Sequence, residues 1–208
     1  MHLQFLNDNP LNSTVVEGAN TDRVLYEIST KAISGVQNVR MRTTIRDGQT
    51  DDVVAVWERT PNGSERTEDR ITYHDEMRLL ADWLPHPGGW ARAQTFVGPD
   101  GEEYVWERHK KYKGVFSLVN ARTKNSVADT HHSRGVSIRP SARPGMSIDI
   151  RPEATGVADA ILLSFVVIEQ LRREVEVTTV RSSVPDKIVD MMKATATRVS
   201  PARSAGTV

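Results

Sequence analysis

Along most of this chain apolar and polar residues alternate; only near the C-terminus do apolar residues run together. Val24, Tyr26 and Ile28 alternate with Leu25 and Glu27, and Met41, Thr43 and Ile45 with Arg40, Arg42, Thr44 and Arg46. Val53, Ala55 and Trp57 share one face of the next segment. Met146, Ile148 and Ile150 against Ser147, Asp149 and Arg151 give the cleanest repeat of two, the mark of a strand with one dry and one wet face. Turn signals separate these runs at Asp47-Gly48 and Pro61-Asn62-Gly63. A further turn, Gly98-Pro99-Asp100-Gly101, joins Phe96-Val97 to Tyr104-Val105-Trp106 as a hairpin. More strands are predicted over 114–121, 126–131 and 135–139, for a total of ten to twelve. Asp75 to Trp90 reads as either strand or short helix, ended by Pro85, Pro87, Gly88 and Gly89.

The pattern changes at Gly156. From there to Val177 the sequence GVADAILLSFVVIEQLRREVEV predicts one helix, over about 156–176, whose first half is apolar on every side. Such a helix is buried all round. Thr155 is placed to cap it, with Asp159 near the first turn and Arg172 and Arg173 toward the carbonyl end. About 21 residues would span about 31 Å. Ten or more antiparallel strands in one sheet leave long edges unless the sheet closes, and a wide barrel has more interior than its side chains can fill. The fold expected is therefore mainly β: a closed antiparallel barrel of about twelve strands with the helix as its axle. A sandwich with the helix outside would need a polar helix face, and between Val157 and Ile168 only Asp159 and Ser164 are polar.

Composition narrows the function classes. The 208 residues carry 27 basic and 27 acidic side chains, so the chain is not built to coat nucleic acid. The stretch from Val177 to Val208 is nevertheless basic, with Arg181, Lys187, Lys193, Arg198 and Arg203 against Asp186 and Asp190. The expected division is one barrel domain over 1–177 and a low-complexity basic tail, largely disordered, over 178–208. There is no cysteine, which removes disulfides, thiolate metal sites and cysteine nucleophiles together. Val157 to Ile168 is too short for a membrane span, which needs roughly 20 apolar residues. MHLQFLNDNPLN lacks the apolar run of an export signal.

Chemistry-bearing residues are few. The densest charge run, Arg108-His109-Lys110-Lys111-Tyr112-Lys113, lies between two strands; its lysines around an aromatic ring suit anionic headgroups, unless it is simply a solvated loop. His131 and His132 are adjacent, so a strand would point them to opposite faces; two surface histidines are expected, not a metal site. No nucleophile elbow is present, and the pairs Asp51-Asp52 and Glu102-Glu103 diverge on extended backbone. Trp57 and Trp106 fall in register with apolar neighbours and belong to the core; Trp83 and Trp90 flank the Pro/Gly segment as the exposed pair. Asp159 is expected near a barrel mouth, bonded to backbone or to an arginine.

The opening Asp8-Asn9-Pro10-Leu11-Asn12-Ser13-Thr14, the segments Val24-Leu25-Tyr26 and Thr43-Thr44-Ile45, the 95–106 hairpin and the closing Leu162 to Arg173 together resemble an uncharacterised family of mushroom-forming fungi, a domain of unknown function. That family in turn resembles the tubby C-terminal-like fold shared with phospholipid scramblases and LURP-one-related proteins. The resemblance covers about residues 3 to 176. It implies a twelve-stranded barrel threaded by a C-terminal helix, and it brings no catalytic residues. Phosphoinositide binding through basic wall residues is what it implies about function, with Arg108, Lys110, Lys111, Tyr112 and Lys113 as the candidate contacts. The expectation is thus a non-enzymatic binding module without cofactor or metal, a monomer, cytoplasmic and peripheral at membranes. Its partners would be anionic phospholipid headgroups or, alternatively, another protein. A small-ligand carrier is disfavoured because the helix fills the interior.

Overall fold

The computed structural model describes residues 1–18, 20–34, 39–60, 68–85, 93–109, 112, 114–132 and 145–183. Among the described residues twelve strands form: β1 (His2–Phe5), β2 (Ser13–Glu17), β3 (Asn20–Ser34), β4 (Val39–Asp47), β5 (Val53–Arg59), β6 (Arg70–Tyr73), β7 (Glu76–Leu79), β8 (Gln94–Val97), β9 (Glu103–Arg108), β10 (Phe116–Asn120), β11 (Ser126–His132) and β12 (Met146–Ile150). A four-residue helix α1 (Leu80–Trp83) follows β7 directly, and a 3-10 turn over Pro152–Val157 leads into α2 (Ala158–Ser183). The strand expected over 135–139 lies outside the described residues, as do Trp90 and the chain from 184 onward.

All twelve strands belong to one sheet, in the order β7-β6-β5-β4-β3-β2-β1-β12-β11-β10-β9-β8, and each neighbouring pair is antiparallel. The closed barrel expected from the sequence does not form. The sheet ends on β7 at one side and β8 at the other, and among the described residues these two strands do not pair. Because the strand number is even, β7 and β8 run antiparallel and their direction would have allowed pairing. What intervenes is α1, which turns the chain inward after Leu79 and sets the Trp83 ring on that of Phe96.

The chain divides into two compact units, Met1–Gln170 and Leu171–Val208. In the first, the sheet curls around the apolar half of α2. Register shifts between β2 and β3, β4 and β5, and β10 and β11 mark irregularities of the kind that bend and twist a sheet. Every residue from Ala160 to Glu169 is buried, so the all-round apolar pattern does give all-round burial. Partners come from well-separated strands: Phe5 of β1 and Trp106 of β9 pack on Phe165 at ring distances of 5.6 and 6.2 Å. Each fully buried Leu, Ile or Phe contributes roughly 1.5–3 kcal/mol. Ser164, one of two polar residues in this run with Glu169, accepts a hydrogen bond from Trp106 Nε1 at 2.9 Å and donates to the Ile161 carbonyl at 3.0 Å. By length and composition Pro152–Val177 could cross a bilayer, but most of it is packed inside the structure.

The helix entry differs from the expectation. Thr155 lies within the 3-10 turn and donates to the Pro152 carbonyl at 2.9 Å, so it does not cap α2. Asp159 accepts a hydrogen bond from Tyr26 Oη at 2.6 Å, not from backbone or arginine. In the second unit α2 continues to Ser183, and Arg172 pairs with Glu176 one turn further on at 2.6 Å.

Candidate functional site

The opening between β7 and β8 is the feature of this fold with the most to offer a ligand. Its near wall begins with a hairpin that sequence reading leaves unresolved. β6 and β7 are joined by His74 and Asp75, both with positive φ (50° and 60°), the conformation of a two-residue type I′ turn. Asn-Gly is the usual signal for that turn, so its absence here hides the hairpin. The far wall begins with the Gly98-Pro99-Asp100-Gly101 tip between β8 and β9. There the Gly101 φ is 79°, and a side chain at Gly98 would meet Asp100 Oδ1 at 2.6 Å and Tyr104 Cε2 at 2.9 Å. Tyr104 Oη donates to Asp100 Oδ2 at 2.6 Å and locks the tip.

The two tips stand at the same end of the opening and enclose a cleft of about 350 Å³. Tyr73, His74, Glu76 and Arg78 line one side; Val97, Gly98, Pro99 and Gly101 line the other; Ile71 and Trp83 complete the lining. Beside this cleft the seam is bridged by side chains, with no strand pairing among the described residues. Tyr73, Trp83, Phe96 and Tyr104 form a row with successive ring distances of 6.4, 5.6 and 5.5 Å. Trp83, expected as an exposed ring, is buried in that row. Burial pushes the Tyr73 hydroxyl above the usual phenol range, and the Asp159 carboxylate adds to the effect. Burial and the bond to Asp100 do the same for Tyr104. Both rings therefore act as neutral hydrogen-bonding groups.

The backbone phase of each edge follows from single bonds. Leu80 N–H donates to the Asp69 carbonyl at 2.8 Å, so Glu76, Arg78 and Leu80 turn their backbone groups toward β6. Met77 and Leu79 must then turn theirs toward the free edge. Gly98 N–H donates to the Glu102 carbonyl at 2.9 Å, which by the same phase leaves Thr95 and Val97 aimed into the opening from β8. Three of these four edge side chains are exposed apolar groups: Met77 is 61% exposed, Val97 59% and Leu79 40%. Glu76 and Arg78 form an ion pair with each other on the cleft side.

The residues singled out from sequence lie elsewhere. Arg108 is exposed at the end of β9 away from the cleft; Tyr112 is exposed and stacks on His109 at 4.7 Å. Lys110, Lys111 and Lys113 lie outside the described residues. His131 and His132 do face opposite ways, but only His131 is a surface residue. It and His2 bracket Asp149, the His131 contact being 2.8 Å. His132 points inward, 3.7 Å from the fully buried Glu169 of α2. No group of three or more metal-ligating side chains converges among the described residues. The Asn120 amide and the Arg122 guanidinium both donate to Glu102, so that carboxylate is engaged.

The family model described as a family of unknown function, DUF6593, matches residues 8–174. The chain belongs to that family. No curated protein and no solved structure matches it.

Proposed function

We propose that this DUF6593 protein is a non-enzymatic binding module that takes a protein partner at the open seam of its sheet. One observation carries the reading: two strand edges, unpaired among the described residues, flank a cleft with aromatic lining, and Met77, Leu79 and Val97 stand exposed along those edges. Unpaired edges recognise other chains through backbone hydrogen bonds, and grouped apolar side chains at such an edge add affinity. The polar groups of the cleft favour binding over catalysis, since Glu76 and Arg78 satisfy each other and His74 packs on Tyr73 at 4.2 Å.

Affinity capture with the wild-type chain and the Met77→Asp/Val97→Asp variant tests this. A protein retained by the wild type and lost by the variant is the expected result. Retention indifferent to both substitutions would remove the seam from the function.

A second reading, phosphoinositide binding, draws on the resemblance to the mushroom-type family and through it to tubby proteins. The exposure of Arg108 and Tyr112 at the far end of β9 favours it. Sedimentation with phosphoinositide vesicles at low salt separates the two: pelleting abolished by Lys110→Glu, Lys111→Glu and Lys113→Glu, and weakened by salt, would support the lipid reading.

A further inference from the structure

We propose that β7 pairs edge to edge with β7 of a second copy of this chain, about a two-fold axis passing between the two Met77 residues. The inference rests on the reading of the seam as a protein contact surface and names its occupant.

The two edges of the sheet are not equivalent. On β8, Gln94 and Phe96 are buried, which ties that strand to the core. On β7 all four residues are exposed on both faces, so the strand stands clear of the core while still paired to β6. Its outward backbone groups belong to Met77 and Leu79, and among the described residues no strand pairs with them. A long unprotected edge invites many partners; this one is short and carries charges that select among them.

The selection lies in Glu76-Met77-Arg78. In an antiparallel pair centred on Met77, each Glu76 lies opposite the partner's Arg78 and each Arg78 opposite the partner's Glu76. Residues directly opposite share a face, so both opposite-charge contacts form on the cleft side. The two Met77 side chains meet on the other face, which removes an exposed apolar group from water. Met77 is also a residue whose N–H and C=O point to the edge, so the axis falls on a hydrogen-bonding pair. Shifting the centre to Arg78 would set the two arginines against each other. The segment is thus self-complementary in one register, as an isologous interface requires. Asp75, in the left-handed turn, ends the ladder on one side and α1 on the other. The contact is short, and the dimer accordingly forms by mass action at high concentration. It replaces the monomer expected from sequence.

Sedimentation velocity over a concentration series reaching about 1 mM, the weak end of specific association, tests the proposal. The wild type is expected to dimerise across the series. Glu76→Arg and Arg78→Glu each convert two attractive contacts into two repulsive ones and should weaken the dimer about tenfold or more. The double variant Glu76→Arg/Arg78→Glu restores complementarity and should return to near wild-type association. An equimolar mixture of the two single variants should form a heterodimer tighter than either homodimer. Thermal unfolding of each variant, expected to match wild type, establishes that the exposed substitutions leave the fold intact. A wild type that stays monomeric to 1 mM, or a dimer indifferent to the charge swaps, overturns the proposal. The first of these outcomes removes only the second copy as occupant; the capture comparison with Met77→Asp/Val97→Asp still decides whether the seam is a contact surface.

Discussion

The two halves of the sheet, β1–β7 and β8–β12, face each other at two junctions, and the junctions contrast. At one, β1 pairs with β12, strands almost the whole domain apart in sequence. At the other, β7 and β8 are near neighbours in sequence, yet among the described residues they do not pair. Sequence proximity is therefore not what closes this sheet. At the first junction Leu3 lies opposite Ile148 with both fully buried, Met1 exchanges backbone bonds with Ile150, and His2 pairs with Asp149 outside. At the second, stacked rings bridge the strands and the edge residues of β7 stay in water. A strand pairs where its inward face can reach the core; β7 has no such face.

The largest effect expected from this contrast is at the closed junction. Ile148→Asp places a charge among apolar side chains with no partner and should cost beyond about 4 kcal/mol, read by urea unfolding. At the seam, Trp83→Ala removes the central ring of the bridge and should cost about 3 kcal/mol. Its signature would be local: faster amide exchange in β7 and β8, with β1 and β12 unchanged. If Trp83→Ala instead loosened the β1–β12 junction equally, the seam would not be a separate structural feature.

How far the sequence discloses this contrast depends on how local each signal is. The apolar run from Ala160 to Ile168 states its own burial, and the Phe96–Trp106 hairpin announces itself through Gly98-Pro99-Asp100-Gly101. Closure cannot be read that way. It depends on Trp83 meeting Phe96, a contact between elements whose positions no local pattern fixes. The β6–β7 hairpin is hidden for a different reason: His74 and Asp75 adopt positive φ without glycine or asparagine to signal it. Alternation of Ile71 and Tyr73, then Met77 and Leu79, is the trace that could have exposed it. Glu169 is missed because its partner, His132, lies on a strand 37 positions away and a glutamate late in a helix normally reads as solvent-facing.

Smaller perturbations sharpen the comparison. Gly98→Ala forces Asp100 and Tyr104 apart at the cleft rim and should cost about 1–2 kcal/mol by thermal unfolding. Asp149→Asn probes the outside of the closed junction. Burial works to raise the Asp149 carboxyl, but His2 and His131 outweigh it and hold it below the usual carboxylate range. A carboxyl depressed in the folded state contributes stability that is present above its unfolded value, about 3.9, and lost as pH falls through the folded value. Wild type should therefore exceed Asp149→Asn at neutral pH by under about 1 kcal/mol, since the cluster is half exposed, and the margin should vanish in acid. A margin constant with pH would assign the difference to something other than ionisation. Smallest of all, Met77→Asp should change stability by no more than about 0.5 kcal/mol in either direction, because its side chain stands in water.

The openness of the seam is tested most directly by amide hydrogen exchange along β8. Gln94 and Phe96 turn their backbone groups toward β9, while Thr95 and Val97 aim theirs into the opening. Slow exchange is expected at Gln94 and Phe96 and fast exchange at Thr95 and Val97. Equal protection at all four amides would mean that β8 has a second hydrogen-bonded neighbour, and that the barrel is closed after all.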